Sequence, residues 1–322
     1  MRATPLTILA LALACLAGVA AAQAPSAKPI RLVVPFGAGG GPDTIARLLA
    51  NKLAEALGQP AMVDNRPGAG GIAAAELVMK AAPDGTTLFV ADSAHYAINP
   101  NLRANLPYDP LRDFAPVIEA VDTHLFLTVG VSLPVRSVAE FVALSMSSPG
   151  GLHYGSSGSG SPHHMAMELL RMMSEANLIH VPYKGVAQSV PALLSGDVAA
   201  VFAGPSSLLP LVKAGRLRML AVASGRRATF VANVPTIAES GYPDFEIANT
   251  IGLLAPAGTP AESVRRLNEN FAKVLRLPDV GKRLAELGLD VIAGTPEQFS
   301  RSIQQQIEKY AKLVKISNAK VD

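Results

Sequence analysis

The chain has 322 residues, which is long enough for one large domain or for two lobes with a substantial core. Charged residues make up 16% of the sequence, below the roughly 25% usual for soluble globular proteins. The formal net charge is only +3, tryptophan is absent, and no run of lysine and arginine carries interleaved aromatic residues. This pattern excludes the basic surface of a nucleic-acid-binding protein and gives little attraction to anionic lipid.

The N-terminal segment is typical of a cleavable export signal. Arg2 supplies a positive start, an apolar run extends from Leu6 to Val19, and small residues lead up to Ala22. The run is shorter than the roughly 20 residues that span a bilayer, and a buried first helix is the alternative interpretation. The only cysteine, Cys15, lies inside this run, so a mature chain would have no disulfide and no cysteine ligand for a metal. We predict cleavage near Ala22, a periplasmic location and a protein that is not embedded in the membrane.

Strand-like and helix-like segments alternate in the first part of the mature chain. Ile30–Val34 is a short apolar run rich in β-branched residues, and apolar residues recur at helical spacing from Thr44 to Leu57. The next segments predict a strand at 61–63, a helix at 72–82 and a strand at 86–91. This βαβαβ order is typical of a parallel sheet with helices on its faces.

The alternation resumes after an irregular stretch between residues 99 and 114. The predicted strands cover 125–131, 153–154, 179–181, 198–202, 217–222 and 251–255. The predicted helices cover 137–147, 163–174, 189–195, 208–214, 262–275 and 296–316. Two α/β halves followed by a pair of helices are compatible with a doubly wound α/β fold that is divided by a cleft.

Three glycine-rich segments, each between a strand and a helix, are the most informative feature of the sequence. They cover residues 37–43, 65–71 and 155–161, and the third also carries four serines. A helix begins with unpaired N–H groups and a partial positive charge, and glycine lets the backbone approach a ligand closely. Each segment is therefore a candidate anion site, and the three together could hold a carboxylate without any arginine. The alternative is that the glycines serve only tight connections.

Common enzyme motifs fail at these segments. Starting from Gly37, the dinucleotide fingerprint G-x-G-x-x-G ends on Pro42 instead of glycine, which disfavours a dinucleotide-dependent oxidoreductase. A phosphate-binding P-loop needs a lysine, and none follows any of the three segments. Starting from Gly155, the hydrolase motif G-x-S-x-G finds Ser159 where glycine belongs. We therefore expect no cofactor.

The six histidines suggest no metal site. His163 and His164 are adjacent, so on a helix they point about 100° apart and do not bind one ion together. His164 could orient a ligand at the serine-rich segment or bond to the backbone at a helix start, and His95, beside Ser93, leaves the same alternatives open. The alternative function is an exported serine hydrolase with Ser157 as nucleophile and His164 as base, but no acidic partner is evident.

Several motifs, taken in order, resemble the Bug-type (TctC-like) extracytoplasmic solute receptors of tripartite tricarboxylate transporters. The resemblance covers nearly the whole mature chain, and the order of the complete set makes it specific. The motifs are Pro35-Phe36-Gly37 through Asp43, Asn65 through Gly71, Tyr108-Asp109-Pro110 with Asp113-Phe114, the serine-rich segment up to His164, His180 through Gly185, Val234-Pro235-Thr236, and Ala255 through Pro260.

The resemblance implies a type II periplasmic binding protein, an α/β fold of two doubly wound lobes with a ligand cleft between them. After a signal peptide at 1–22, lobe I would comprise residues 23–127 and 251–322, and lobe II would comprise residues 128–250. The resemblance further implies a monomeric solute-binding protein and not an enzyme. Such a protein would capture a small organic carboxylate (a di- or tricarboxylate or an aromatic carboxylate) for membrane transporter subunits or a sensor protein.

Transferred motif by motif, the resemblance also implies which residues bind the ligand. They are Phe36, Gly39, Gly40, Asp43, Gly68, Ala69, Gly70, Ser93, His95, Ser156, Ser157 and His164. Ala203 departs from the family pattern, because members often have an aspartate there that suits a ligand ammonium. We therefore count Ala203 among the site positions and expect a ligand without an amino group.

Overall fold

The structure is a computed structural model, and it describes residues 28–38, 41–58, 60–247 and 249–317. The predicted signal peptide, together with Gly39 and Gly40 of the first glycine-rich segment, lies outside the described residues. Within those ranges the chain forms eleven strands and ten α-helices. The strands are β1 (Ile30–Val34), β2 (Ala61–Asn65), β3 (Thr87–Asp92), β4 (Phe114–Asp122), β5 (Phe126–Gly130), β6 (Leu152–Ser156), β7 (Leu178–Pro182), β8 (Ala200–Ala203), β9 (Leu217–Val222), β10 (Thr250–Pro256) and β11 (Asp290–Val291). The helices are α1 (Gly41–Leu57), α2 (Ile72–Met79), α3 (Asn99–Leu102), α4 (Val138–Ser147), α5 (Pro162–Ser174), α6 (Val186–Ser195), α7 (Pro205–Lys213), α8 (Ala261–Leu275), α9 (Pro278–Glu286) and α10 (Pro296–Ser317).

Six strands form the first sheet, in the order β11-β4-β10-β3-β1-β2. β1 pairs in parallel with β2 and β3, whereas β10 runs antiparallel between β3 and β4. Side chains alternate along β1: Leu32 and Val34 pack with α1 and α8, while Val33 packs on the opposite face with α2. Both faces of this sheet are therefore covered by helices, as the βαβαβ order predicts.

Five strands form the second sheet, in the order β7-β6-β8-β5-β9. β6 pairs in parallel with β7 and β8, and β5 runs antiparallel between β8 and β9. Along β5, Phe126 packs with α6 and α7, whereas Leu127 packs on the other face with α4 and α5. The protein thus consists of two α/β lobes, one built on each sheet, which confirms the predicted fold class.

The chain crosses between the two sheets twice, first between β4 and β5 and then between β9 and β10. The Thr123 backbone N–H and hydroxyl both donate to the Asn249 carbonyl oxygen, at 2.9 and 2.5 Å, and the Asn249 side chain donates to the Thr123 hydroxyl at 2.5 Å. Strand pairing places Phe126 and Leu127 in the second sheet and Thr250 in the first. The lobe ranges themselves stay a prediction.

The last helix, α10, connects the cores of the two lobes. Phe299, Ile303 and Tyr310 on α10 belong to a buried cluster that also contains Leu170 of α5 and continues into both sheets. On β10, a Cβ at Gly252 would lie 2.3 Å from the ring of Phe299, so this helix lies very close to the first sheet. The two lobes therefore share one continuous apolar core along α10.

Candidate functional site

Two adjoining cavities lie in the cleft between the lobes. Their volumes are about 430 and 760 Å³, within the range typical of small-molecule sites. The residues that line both cavities come from both lobes and are Phe36, Gly37, Asp92, Ser157, His163 and Asn249. The smaller and the larger cavity therefore form one connected space, which we call the cleft site.

All three glycine-rich segments border the cleft site. The first contributes Gly37 and Gly41, the second contributes Gly68 and Gly70, and the serine-rich segment contributes residues 157–161. The first two segments follow strands of the first sheet and the third follows β6 of the second sheet, so they face one space from both lobes. This is the position at which open α/β sheets bind ligands.

Asp43 and Asn65 fix the first glycine-rich segment to the second. The Asn65 side chain donates to Asp43 Oδ1 at 2.8 Å and to the Phe36 carbonyl at 3.1 Å. Arg47, one turn further along α1, donates to Asp43 Oδ2 at 2.9 Å. Asp43 is buried in this network. The structure therefore places this predicted site residue behind the cavity wall, whereas Phe36 lies in the wall itself.

His95 is packed against the second glycine-rich segment. It lies on a π-helical turn, Ala94–Ile98, that follows β3, and it lines the smaller cavity. A Cβ at Gly71 would lie 2.1 Å from His95 Nε2, and Gly71 has φ +84°, so only glycine fits there. The other ring nitrogen, Nδ1, lies 2.6 Å from Asp92 Oδ1, and the ring meets that of Phe36 edge-on at 5.4 Å. These contacts fix the imidazole and, through it, the adjoining glycine turn.

Ser156 and His164 hold the serine-rich segment from behind. The buried Ser156 hydroxyl accepts from the Gly158 N–H at 3.0 Å and lies 2.7 Å from His180 Nε2. His164 Nδ1 accepts from the Gly160 N–H at 3.0 Å, and its ring stacks on that of His180 at a centroid distance of 3.9 Å. Burial lowers the pKa of His164 to about 4 and also lowers the pKa of His180, so both rings are neutral near pH 7. These two predicted site residues bond to the backbone of the segment and do not line the cleft site.

Ser157 and His163 both face the cleft site. The Ser157 hydroxyl lies 2.7 Å from His163 Nδ1, and both residues line both cavities. Desolvation deep in the cleft lowers the pKa of His163 to about 4, against the opposing effect of the Asp92 carboxylate. The pair Ser157 and His164, which a serine hydrolase would have needed, does not form, because His163 occupies the position beside the hydroxyl. A base with a pKa of about 4 is also poorly matched to catalysis near neutral pH.

The remaining predicted site residues lie in different surroundings. Gly68 and Gly70 line the smaller cavity, and Ala69 belongs to the short 3₁₀ turn that contains Gly70. Ser93 is fully buried, accepts from the Thr250 N–H at 3.2 Å and so links β3 to β10. Ala203 is also fully buried, at the end of β8 opposite Phe126, and the next residue, Gly204, is the one that lines the larger cavity.

The sequence did not indicate several of the residues that line the cleft site. Helices α6 and α7 also begin at the larger cavity, through residues 185–187 and 204–206. The signal in the sequence was a glycine, Gly185 or Gly204, directly before the first residue of each helix, although the predicted helices begin later, at residues 189 and 208. Among the residues that the structure describes, two cations also line the cleft site: Arg103 borders the smaller cavity and Lys184 borders the larger one. Neither cation belongs to a glycine-rich segment, and only the fold brings them to the cleft.

Two lobes with double crossings and a glycine-lined cleft define a two-lobed solute-binding protein. Within the described ranges, no cluster of histidine, cysteine and acidic side chains could hold a metal ion, and no helix is long and apolar enough to cross a membrane. Residues 45–319 match the family model of the tripartite tricarboxylate transporter family receptor, TctC. The chain therefore belongs to this family of periplasmic solute-binding receptors, and it is not an enzyme.

Similar proteins support the same assignment over nearly the full chain. Protein BugT of Bordetella pertussis is 35% identical over 95% of this chain and 95% of its own length. A structure of an R. palustris protein with adipate has 36% identity, covers 93% of this chain and 100% of that one, and superposes with a TM-score of 0.83. MatC from Rhodopseudomonas palustris, solved with bound malate, has 32% identity, covers 89% of this chain and 99% of that one, and has a TM-score of 0.78.

Proposed function

We propose that the protein captures a small organic carboxylate in the cleft site and delivers it to membrane transporter subunits. One observation carries this proposal: three glycine-rich helix starts, predicted independently as anion sites, meet around one connected space. The adipate and malate found in two similar structures are both carboxylates, which supports the same class of ligand. We further propose that the chain is exported, is cut near Ala22 and acts in the periplasm as a monomer, with a sensor protein as an alternative partner.

The helices that begin at the cleft supply the attraction for a carboxylate. The first residues of α1, α5, α6 and α7 all lie in the walls of the cleft site. Each helix start carries a partial positive charge and N–H groups that can donate to an anion. The carbon skeleton of the ligand would lie against Phe36, which lines both cavities. His163, whose pKa is lowered to about 4 by desolvation, is neutral near pH 7 and adds no positive charge to the site.

Nine of the predicted site residues divide into two groups by their surroundings. Phe36, Gly68, Gly70, His95 and Ser157 line the cleft site, which supports direct contact with the ligand. Asp43, Ser93, Ser156 and His164 are buried behind it, which supports a role in fixing the loops. Gly39, Gly40, Ala69 and Ala203 stay predicted site positions, and Ala203 still favours a ligand without an amino group.

Closure of the two lobes would complete the site. We propose that lobe I, residues 23–127 and 251–322, binds the ligand first and that lobe II, residues 128–250, then closes over it. Thr123 and Asn249 lie at the two crossings and are bonded to each other, so a rotation about them brings the serine-rich segment toward the first two glycine-rich segments. The closed form would then be recognised by the transporter.

Calorimetry on the chain from Gln23 to its end tests the proposal. The panel comprises malate, adipate, citrate and benzoate, with adipamide as a neutral counterpart of adipate. We expect at least one acid to bind with one molecule per chain and the amide to bind at least tenfold more weakly. A bound acid at 100 times its Kd should also raise the unfolding free energy by about 2.7 kcal/mol. Absence of binding by every acid, or equal binding of the neutral amide, would contradict the proposal.

A further inference from the structure

The smaller cavity is lined by Arg103, a cation that forms no ion pair with any described carboxylate. Arg103 follows α3 and lines this cavity with Asn99 and Leu102. Among the described residues, its Nε is buried without a hydrogen-bond partner, and no acidic side chain forms an ion pair with its guanidinium. Such a cation binds an anionic ligand much more strongly than a neutral side chain does, because no neighbouring carboxylate compensates its charge.

The groups around Arg103 are committed elsewhere. Asp92, the one carboxylate that lines the smaller cavity within the described ranges, lies 2.6 Å from His95 Nδ1 and accepts from the Ala94 N–H at 3.0 Å. The Asn99 side chain donates to the Gly70 carbonyl at 3.0 Å and to the Tyr108 hydroxyl at 3.3 Å. Asp92 and Asn99 therefore already form hydrogen bonds with other residues, and neither pairs with Arg103.

Arg103 is not among the residues that line both cavities, which together we call the junction. Ser157 and His163 line both cavities, whereas Arg103 lines only the smaller one. A Cβ at Gly70 would lie 2.8 Å from Arg103 Nη2, so the guanidinium is packed against the second glycine-rich segment. Apolar groups of Phe36 and Leu102 line the same cavity and suit a short methylene chain. The smaller cavity thus has polar groups among the residues that it shares with the larger cavity, and a cation, Arg103, among those that it does not share.

We propose that Arg103 selects dicarboxylates: one ligand carboxylate lies at the junction beside Ser157, and the second pairs with the Arg103 guanidinium. The planar guanidinium can donate two parallel hydrogen bonds to a carboxylate, which a single lysine ammonium cannot match. This inference rests on the proposed function and narrows its ligand class from carboxylates in general to linear dicarboxylates. Arg103 acts here as a specificity-determining residue.

The test uses matched acids that differ by one carboxylate. Calorimetry compares succinate with butyrate, glutarate with pentanoate and adipate with hexanoate, on the wild-type chain and on Arg103→Gln. A hydrogen-bonded charge pair predicts that the wild type binds its preferred dicarboxylate about 10- to 100-fold more tightly than the matched monocarboxylate. Arg103→Gln should bring this ratio of affinities close to one, because it weakens the binding of the dicarboxylate alone. Arg103→Lys, which keeps the charge, should recover part of it.

A matched control separates this effect from general electrostatics. Arg112 is an exposed arginine whose guanidinium pairs with Asp113, and it does not belong to the lining of either cavity. Arg112→Gln should therefore leave the ratio unchanged. The unfolding midpoint of each ligand-free variant shows whether it is folded, and Arg103→Met replaces Arg103→Gln if the latter is not.

Three results would overturn the inference. A wild type that binds monocarboxylates as tightly as the matched dicarboxylates refutes dicarboxylate selection while leaving the proposed function intact. If a folded Arg103 variant binds both acids of a pair more weakly by the same factor, the arginine serves loop packing only. If its affinity for neither acid changes, the arginine has no role in binding. Absence of binding by every acid refutes the proposed function itself.

Discussion

Gly71→Ala is expected to be the most damaging methyl addition in the cleft. At Gly71 the backbone has φ +84°, and the added Cβ would lie 2.1 Å from His95 Nε2 and 3.1 Å from Pro35 Cβ. A non-glycine residue in the left-handed region costs about 1–2 kcal/mol, and forcing a group into a packed site costs about 1–3 kcal/mol. We therefore expect the unfolding free energy to fall by about 2–5 kcal/mol.

A second glycine and a double variant isolate the contact with His95. Gly58 also has positive φ, +61°, but a Cβ there would meet no atom within 4 Å, so Gly58→Ala should show the backbone effect alone. In the double variant His95→Ala with Gly71→Ala the imidazole is gone, and the cost of the added methyl should fall toward that of Gly58→Ala. The coupling between the two positions should be about 1–3 kcal/mol.

Urea unfolding of the ligand-free chain measures these differences, and calorimetry with a bound acid measures the accompanying loss of affinity. Because the clash displaces the second glycine-rich segment, we expect Gly71→Ala to weaken the acid at least tenfold. Equal unfolding free energies for Gly71→Ala and Gly58→Ala would refute the reasoning, since the imidazole would then place no constraint on the turn.

Three further predictions concern pH, ligand chemistry and the crossings. The folded pKa of His164, about 4, lies below the unfolded value of roughly 6.5, so the unfolded state binds more protons between these values. His164 alone should therefore lower the unfolding free energy by up to about 3 kcal/mol as the pH drops from 6.5 to 4, in addition to the effects of His163 and His180, and His164→Asn should make this part of the profile less steep. Calorimetry should show weaker binding of aspartate and glutamate than of succinate and glutarate, because Ala203 offers no carboxylate to a ligand ammonium. Thr123→Val, which leaves the Asn249 side chain without its hydroxyl acceptor, should lower the unfolding free energy by about 1–3 kcal/mol.

Each of these predictions has a clear contrary result. An unchanged pH profile in a folded His164→Asn variant would mean that this imidazole does not carry the acid sensitivity. Tighter binding of aspartate than of succinate would contradict the inference from Ala203. Unfolding data for Thr123→Val that match the wild type would show that the bonds between the crossings add nothing to stability.

The sequence predicted the parts of the fold that depend on local signals. The helix predicted at 44–57 appears as α1, Gly41–Leu57, because its apolar spacing and the glycine after it are local features. The strand β4 was missed, since Pro116 and Glu119 interrupt any alternation along it. Glu119 is accommodated only by distant partners: Thr250 and Ser302 each donate to its Oε1 at 2.8 Å. No pattern of neighbouring residues could have indicated them.

The sequence indicates the loops of the cleft site and some of the side chains that line it, Phe36, His95 and Ser157, but not all of them. Glycine before a helix start indicates an anion site wherever it occurs, and topology then brings the loops together. At the serine-rich segment the prediction chose His164, whereas His163 faces the cleft. The ring of His164 is buried and stacks on that of His180, which lies on β7. The residues next to His163 and His164 in the sequence do not indicate a stacking partner that lies on another strand.

The insertion of β10 into the first sheet has a consequence for the order in which the protein can be assembled. β10 separates β4 from β3, so without it the early strands form only a three-stranded piece, β2-β1-β3, with β4 left unpaired. Nearly four fifths of the chain, up to residue 256, must be synthesised before that gap can close, and α10 comes later still. The first sheet is therefore completed only after all five strands of the second sheet have been synthesised.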